Sequence, residues 1–177
     1  MKYIGMVVIA IVGTLLHFTY ELSHHNKAVA VFSAVNESTW EHIKICMTPT
    51  LLWSIYDFIK YGSYSNYLIA KSISIFSIIL LIPILFYSYT IISKKAILFI
   101  DVICFYITVF LSQSIFYYII SLNPLSNVYF IISIALLLIS LLSYAIFTFK
   151  PLKNFIFEDP ISHKYGLEGH THFHHHD

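Results

Sequence analysis

Between His17 and His42 the chain reads HFTYELSHHNKAVAVFSAVNESTWEH. This stretch holds four of the ten histidines and three of the nine acidic residues. His17 and Glu21 are four apart, so on a helix they share a face, with Tyr20 beside them. Glu37 and Glu41 repeat that spacing, with His42 next to the second and Asn36 next to the first. Imidazole and carboxylate together suit a divalent transition metal such as zinc or iron, and paired carboxylates suit proton relay. The expected site therefore has His17, Glu21 and His42 as metal ligands and Glu37 and Glu41 as catalytic carboxylates. Asn36 and Tyr20 would orient ligand or substrate. The spacing is neither HExxH nor the Glu-x-x-His of di-iron bundles, so the residue types carry the expectation rather than a known motif. Structural roles compete with it: His17 with Glu21 closing a helix, Glu41 pairing with Lys44, Ser38 and Glu41 serving only as a cap.

A second group of metal-binding side chains ends the chain. His170, His172, His174, His175 and His176 put five imidazoles into seven residues, which bind zinc, nickel or copper to some degree whatever their purpose. Elsewhere the polar residues invite plainer expectations. Asp57 lies three residues before Lys60, the spacing of a helical ion pair. Asp101, Thr108 and Ser112 fall at i, i+7 and i+11 with Gln113 alongside, a polar stripe expected to hydrogen-bond between helices. Cys46 and Cys104 are isolated, so neither a disulfide framework nor a thiolate site is indicated. No phosphate-binding glycine loop and no G-x-S-x-G is present.

The elements that position these residues follow from composition. The 177 residues are 58% hydrophobic and 11% charged, with a mean hydropathy of +0.78. A soluble domain has about a quarter of its residues charged, so much of this surface must face lipid. Apolar runs of about 18 or more residues recur without period-two alternation, which indicates membrane helices rather than a barrel. The expected fold is an all-α polytopic membrane bundle with about five spans, at 3–22, 39–61, 67–92, 95–120 and 127–149. Residues 1–150 form one domain and 151–177 a polar tail, His-rich from 170. Asn26 is a good N-cap for a short helix through KAVAVFSAV, and Asn36-Glu37-Ser38 breaks it. Too short to cross a bilayer, residues 27–37 are expected as a re-entrant or interfacial helix. Ser38-Thr39-Trp40-Glu41 has the form of a capping box for a helix from Thr39, and Pro49 is expected to kink it or to mark a joint.

Net charge is +1 and every cation is a lysine, which leaves no footprint for nucleic acid and no guanidinium fork for phosphate. Lysines beside the spans favour the N-terminus outside and the C-terminus in the cytoplasm. The expected partners are the lipid bilayer and a second copy or another membrane protein, since five short helices bury little alone.

HFTYELSHHN followed by FSAVNESTWEHIK resembles a family of small bacterial integral membrane proteins described only as a domain of unknown function. The pattern of that family reads HFxYExxxxN, then FSxVNESxWEHxK, with a late DPxxxxYG. It is met here by His17, Phe18, Tyr20, Glu21 and Asn26, then Phe32 to Lys44, then Asp159-Pro160 with Tyr165-Gly166. The resemblance implies a bacterial membrane protein and supplies no activity; the expected location is the bacterial inner membrane. The histidines after Gly169 are not part of the pattern. Three functions stay open: a metal-dependent hydrolase acting on a lipid-like substrate, a transporter of metal cations or protons, and a non-catalytic accessory subunit.

Overall fold

The computed structural model describes residues 2–169; the five histidines expected as tail ligands lie outside the described residues. Five long helices go up and down: α1 (Lys2–Leu22), α3 (Thr39–Tyr61), α4 (Tyr67–Ser93), α5 (Leu98–Ile120) and α6 (Val128–Phe149). Between the first two, α2 is a single turn, Lys27–Ala30. Four of the helices, α1 from Tyr3 together with α4, α5 and α6, are long and apolar enough to cross a membrane. Their outer faces carry a belt of exposed Ile, Leu, Phe and Tyr, as a lipid-facing surface does.

α3 differs from the other four. It is 23 residues long but carries Glu41, His42, Lys44, Asp57 and Lys60, and it is not among the four apolar spans. Its first half is nearly all buried, and it runs antiparallel to both α1 and α4. Gly5 and Gly13 of α1 meet Trp53 and Ile45; Asp57 meets Lys71 and Thr39 meets Tyr87 on α4. A charged helix tolerates this position because its charges are paired internally. Lys44 Nζ lies 2.6 Å from Glu41 Oε2, and Lys71 Nζ lies 2.6 Å from Asp57 Oδ2. The expected Asp57–Lys60 pair is thus replaced by a pair between helices.

Pro49 does not split α3, which is continuous through it. Proline removes the N–H that would bond the carbonyl of Ile45. Gly13 packs there: a Cβ on Gly13 would lie 2.8 Å from Ile45 O and 2.5 Å from Phe105 Cζ. The glycine lets α1 approach the freed carbonyl.

The expected short helix ends earlier than the sequence suggests. Asn26 caps it as expected, accepting from Ala28 N, but only Lys27–Ala30 is helical. Ser33 Oγ donates to Leu16 O and accepts from Tyr20 N, so the backbone after α2 is tied to α1 instead of continuing a helix. The capping box also fails to form. Ser38 is the N-cap of α3 with no side-chain cap bond, because Glu41 turns to accept from Val35 N at 2.9 Å and to hold Lys44. The polar stripe of α5 is buried at Thr108, Ser112 and Gln113. Its two hydroxyls bond carbonyls of their own helix, while Asp101 meets the expectation by accepting from Tyr89 Oη of α4.

Candidate metal centre

The polar break between α2 and α3 is held open by side chains and by the C-terminal segment. Glu37 N donates to Asp159 Oδ1 at 3.0 Å, Ser38 N to Asn36 Oδ1 at 2.9 Å, and Trp40 N to Ile156 O at 2.9 Å. Asn36 Nδ2 donates to Gly166 O across 130 residues of sequence. Buried backbone polar groups need partners; Glu37 N and Trp40 N find theirs in Asp159 and Ile156, while Ser38 N and Val35 N are met locally by Asn36 and Glu41. Phe157 completes the join by packing on Trp40 and Phe147. The segment after Lys150 is therefore a structural lid on the break, not a loose tail, as far as Gly169.

Held in this way, Glu37 stands between two histidines. His17 comes from the last turns of α1 and His42 from the first turn of α3. His17 Nε2 lies 3.5 Å and His42 Nε2 3.9 Å from the same oxygen, Glu37 Oε2. The three ligand atoms all lie within 4.8 Å of one another. A tetrahedral ion with bonds of about 2.1 Å sets its ligand atoms about 3.4 Å apart, so little movement would close the set. All three side chains are about one-quarter exposed. His42 Nδ1 lies 2.9 Å from Ser38 O; a proton on Nδ1 donated there fixes the ring and aims Nε2 at Glu37. Burial opposes ionisation of Glu37. The hydrogen bond from His17 and the charge of His42 outweigh it and hold the carboxyl below its ordinary value.

The structure separates the other expected site residues from this group. Glu21 is exposed and stands with Leu15, Phe18, Leu22 and His24, outside the His17–Glu37–His42 set. Glu41 is fully buried and committed to Lys44 and Val35. Tyr20 is buried with Ala30 and Val35, and Asn36 serves as a clamp. Glu37 sits among the ligand atoms, where a catalytic carboxylate was expected.

Two cavities meet at Glu37. One, of ≈ 270 Å³, is lined by Glu37, Thr39, Phe86, Tyr87, Phe155, Glu158, Pro160 and His163. The other, of ≈ 20 Å³, lies between Glu37, His42, Asp101, Cys104 and Phe105. At the rim of the larger one Glu158 Oε1 is 2.8 Å from His163 Nδ1, and Tyr165 Oη donates to Glu158 Oε2 at 3.2 Å. His163 holds Glu158 below the usual carboxylate range, and Tyr165 adds to the effect. His163 has φ +56, an uncommon conformation for a residue with a side chain.

The family model described as "Family of unknown function (DUF6512)" matches residues 1–167. The chain belongs to that family. No curated protein and no solved structure matches the chain. The match ends before the terminal histidines, whereas the three clustered side chains, the break and the Asp159–Gly166 clamp all lie inside it.

Sequence reasoning missed Glu158, Asp159 and His163 as neighbours of the site. The available signal was DPxxxxYG, whose Asp and Gly make the two clamping bonds to the break.

Proposed function

We propose that this protein binds a divalent transition metal, zinc or iron(II), through His17, Glu37 and His42, and uses it to hydrolyse a lipid-like substrate. The observation that carries the reading is the spacing of two imidazole nitrogens around one carboxylate oxygen at 3.5 and 3.9 Å, with His42 oriented by a backbone carbonyl. Two histidines and one carboxylate with a position left open is the donor set of hydrolytic zinc sites and of non-haem iron sites. A bound metal would supply an acidified water and polarise the scissile bond. The cleft supplies the rest: Phe86, Phe155 and Pro160 offer apolar walls, and Glu158 with His163 offers a proton acceptor and carrier at its rim. Glu41 has no part in this chemistry, since ionised it already balances Lys44.

Placement at the end of the bundle supports an amphiphilic substrate that reaches the cleft from the bilayer. That end also carries Lys94, Lys95, Lys150 and Lys153, so the positive-inside rule puts the centre on the cytoplasmic side of a bacterial inner membrane. Cation transport is the second reading, favoured by the small cavity that brings Glu37 and His42 together with Asp101 between α3 and α5.

Zinc titration of detergent-purified protein ending at Gly169, against a chromophoric chelator, tests the binding. One tight site that is lost in both His17→Ala and His42→Ala, and kept in Glu21→Gln, is the expected result. Binding that survives either histidine change overturns the assignment. Hydrolysis is then tested with ester and phosphoester lipids in mixed micelles. Activity that needs metal and falls in Glu158→Gln without a change in zinc affinity supports the enzyme. Metal-tight protein inert towards both lipid classes favours transport.

A further inference from the structure

A second buried polar group lies at the opposite end of the bundle from the metal centre. Asp57 is 0% and Lys71 3% exposed, and their ion pair joins α3 to α4 at 2.6 Å through Asp57 Oδ2. The other carboxylate oxygen, Oδ1, is buried without a partner. Lys71 Nζ has a second holder: it lies 3.9 Å from the centre of the Phe116 ring on α5, a cation–π contact.

α4 and α5 are antiparallel, with Lys71 at Phe116 near one end and Tyr89 bonded to Asp101 near the other. One turn further into the bundle, Ser74 of α4 is therefore level with Gln113 of α5. Both are fully buried, and neither Ser74 Oγ nor Gln113 Nε2 and Oε1 has a hydrogen-bond partner. Two adjacent layers thus hold four unpartnered atoms. Leaving such a group bare is unfavourable, and a purely structural ion pair is expected to have its spare lone pairs satisfied. The mixture of donor and acceptors suits water, which needs about 2–4 polar partners of both kinds.

We propose that Asp57, Lys71, Ser74 and Gln113 form an internal hydrated site that binds a proton. A hydronium reaching the Ser74–Gln113 layer gives its proton to Asp57 Oδ1. The carboxylate becomes a carboxylic acid, one water is released, and Lys71 keeps its charge against the Phe116 ring. The titratable groups around Asp57 are Lys71 and Tyr67 from α4 and Tyr117 from α5, with Tyr56 and Tyr61 of its own helix beside Tyr117. Lys60 of the same helix lies over the Tyr61 ring and is exposed; Lys71 is the buried cation, so the ring that shares it is what makes a neutral Asp57 tolerable. Ionisable groups at membrane depth are functional candidates by default.

Infrared titration of full-length protein in phosphatidylcholine–phosphatidylglycerol vesicles tests the site, with the proton itself as probe. On acidification a distinct carboxylic-acid C=O band of a buried group, separate from those of the exposed carboxyls, should appear reversibly, remain in Glu37→Gln, and be absent from Asp57→Asn. The paired variant Asp57→Asn with Lys71→Met removes both charges, so it should also lack the band while staying folded. Gln113→Leu should shift the band by removing the hydrated layer. Three results would each overturn the proposal: no band in the unaltered protein, a band that survives both Asp57 variants, or a band unmoved by Gln113→Leu, which marks a dry structural pair.

Discussion

Replacing Glu41 with Gln separates a structural carboxylate from a catalytic one. Glu41 Oε2 holds Lys44 Nζ at 2.6 Å and accepts Val35 N at 2.9 Å, while Lys44 also donates to Ala30 O at 2.7 Å. Both side chains are essentially fully buried. Removing one partner of such a pair leaves an uncompensated charge, a loss of about 3–5 kcal/mol. For a chain of this size each kcal/mol moves the melting point by about 2–4 °C, so Glu41→Gln should melt at least about 6 °C lower. Lys44→Met should show a similar loss. The two together should recover most of it, because Gln can still accept from Val35 N and only Ala30 O is left bare, at about 1–3 kcal/mol. The assay is thermal unfolding in detergent followed by circular dichroism, with zinc affinity measured on the folded fraction. Single variants within about 1 kcal/mol of the unaltered protein, or a double variant as unstable as their sum, would refute the internal pairing.

Asp159→Ala removes the acceptor of Glu37 N and of both Ser162 donors; charge-assisted bonds of this kind contribute about 1.5–3 kcal/mol each. Limited proteolysis should then cut within 150–169 faster, and zinc affinity should fall. Gly13→Leu places side-chain atoms where Phe105 and the Ile45 carbonyl already stand, and should destabilise by about 1–3 kcal/mol, read as a lower melting point. The carboxyl of Glu37 is held below its ordinary 4.5, so its contribution is fully present above that pH and fades as pH falls through the depressed value. In metal-free protein the stability gap between the unaltered chain and Glu37→Gln should therefore close on acidification; a gap that widens contradicts the pairing. Single cysteines at Ser65 and Ser126 should both label from the side opposite Lys95, which tests whether charged α3 crosses as the path of the chain requires.

Boundaries of the long helices were legible because apolar runs stop at polar punctuation: α3 begins at Thr39, as Ser38 at the break announces. The partners of the charges were not. Spacing along one helix suggested Asp57 with Lys60, whereas the buried cation is Lys71, fourteen residues on and on another helix. In the same way the i,i+4 rule drew Glu21 to His17, but the carboxylate that reaches His17 belongs to the break. Glu37 could be named as important yet not placed, because its position depends on Asp159 bonding its backbone from 122 residues away. Local periodicity carries no information on such a contact.

The central claim is tested most directly by metal analysis of protein purified without added metal, with the chain ending at Gly169 so that the terminal histidines cannot contribute. About one equivalent of zinc or iron per chain, absent from His17→Ala and from His42→Ala proteins that still fold, is the predicted result. Metal-free protein, or metal present only when the terminal histidines are restored, would contradict it.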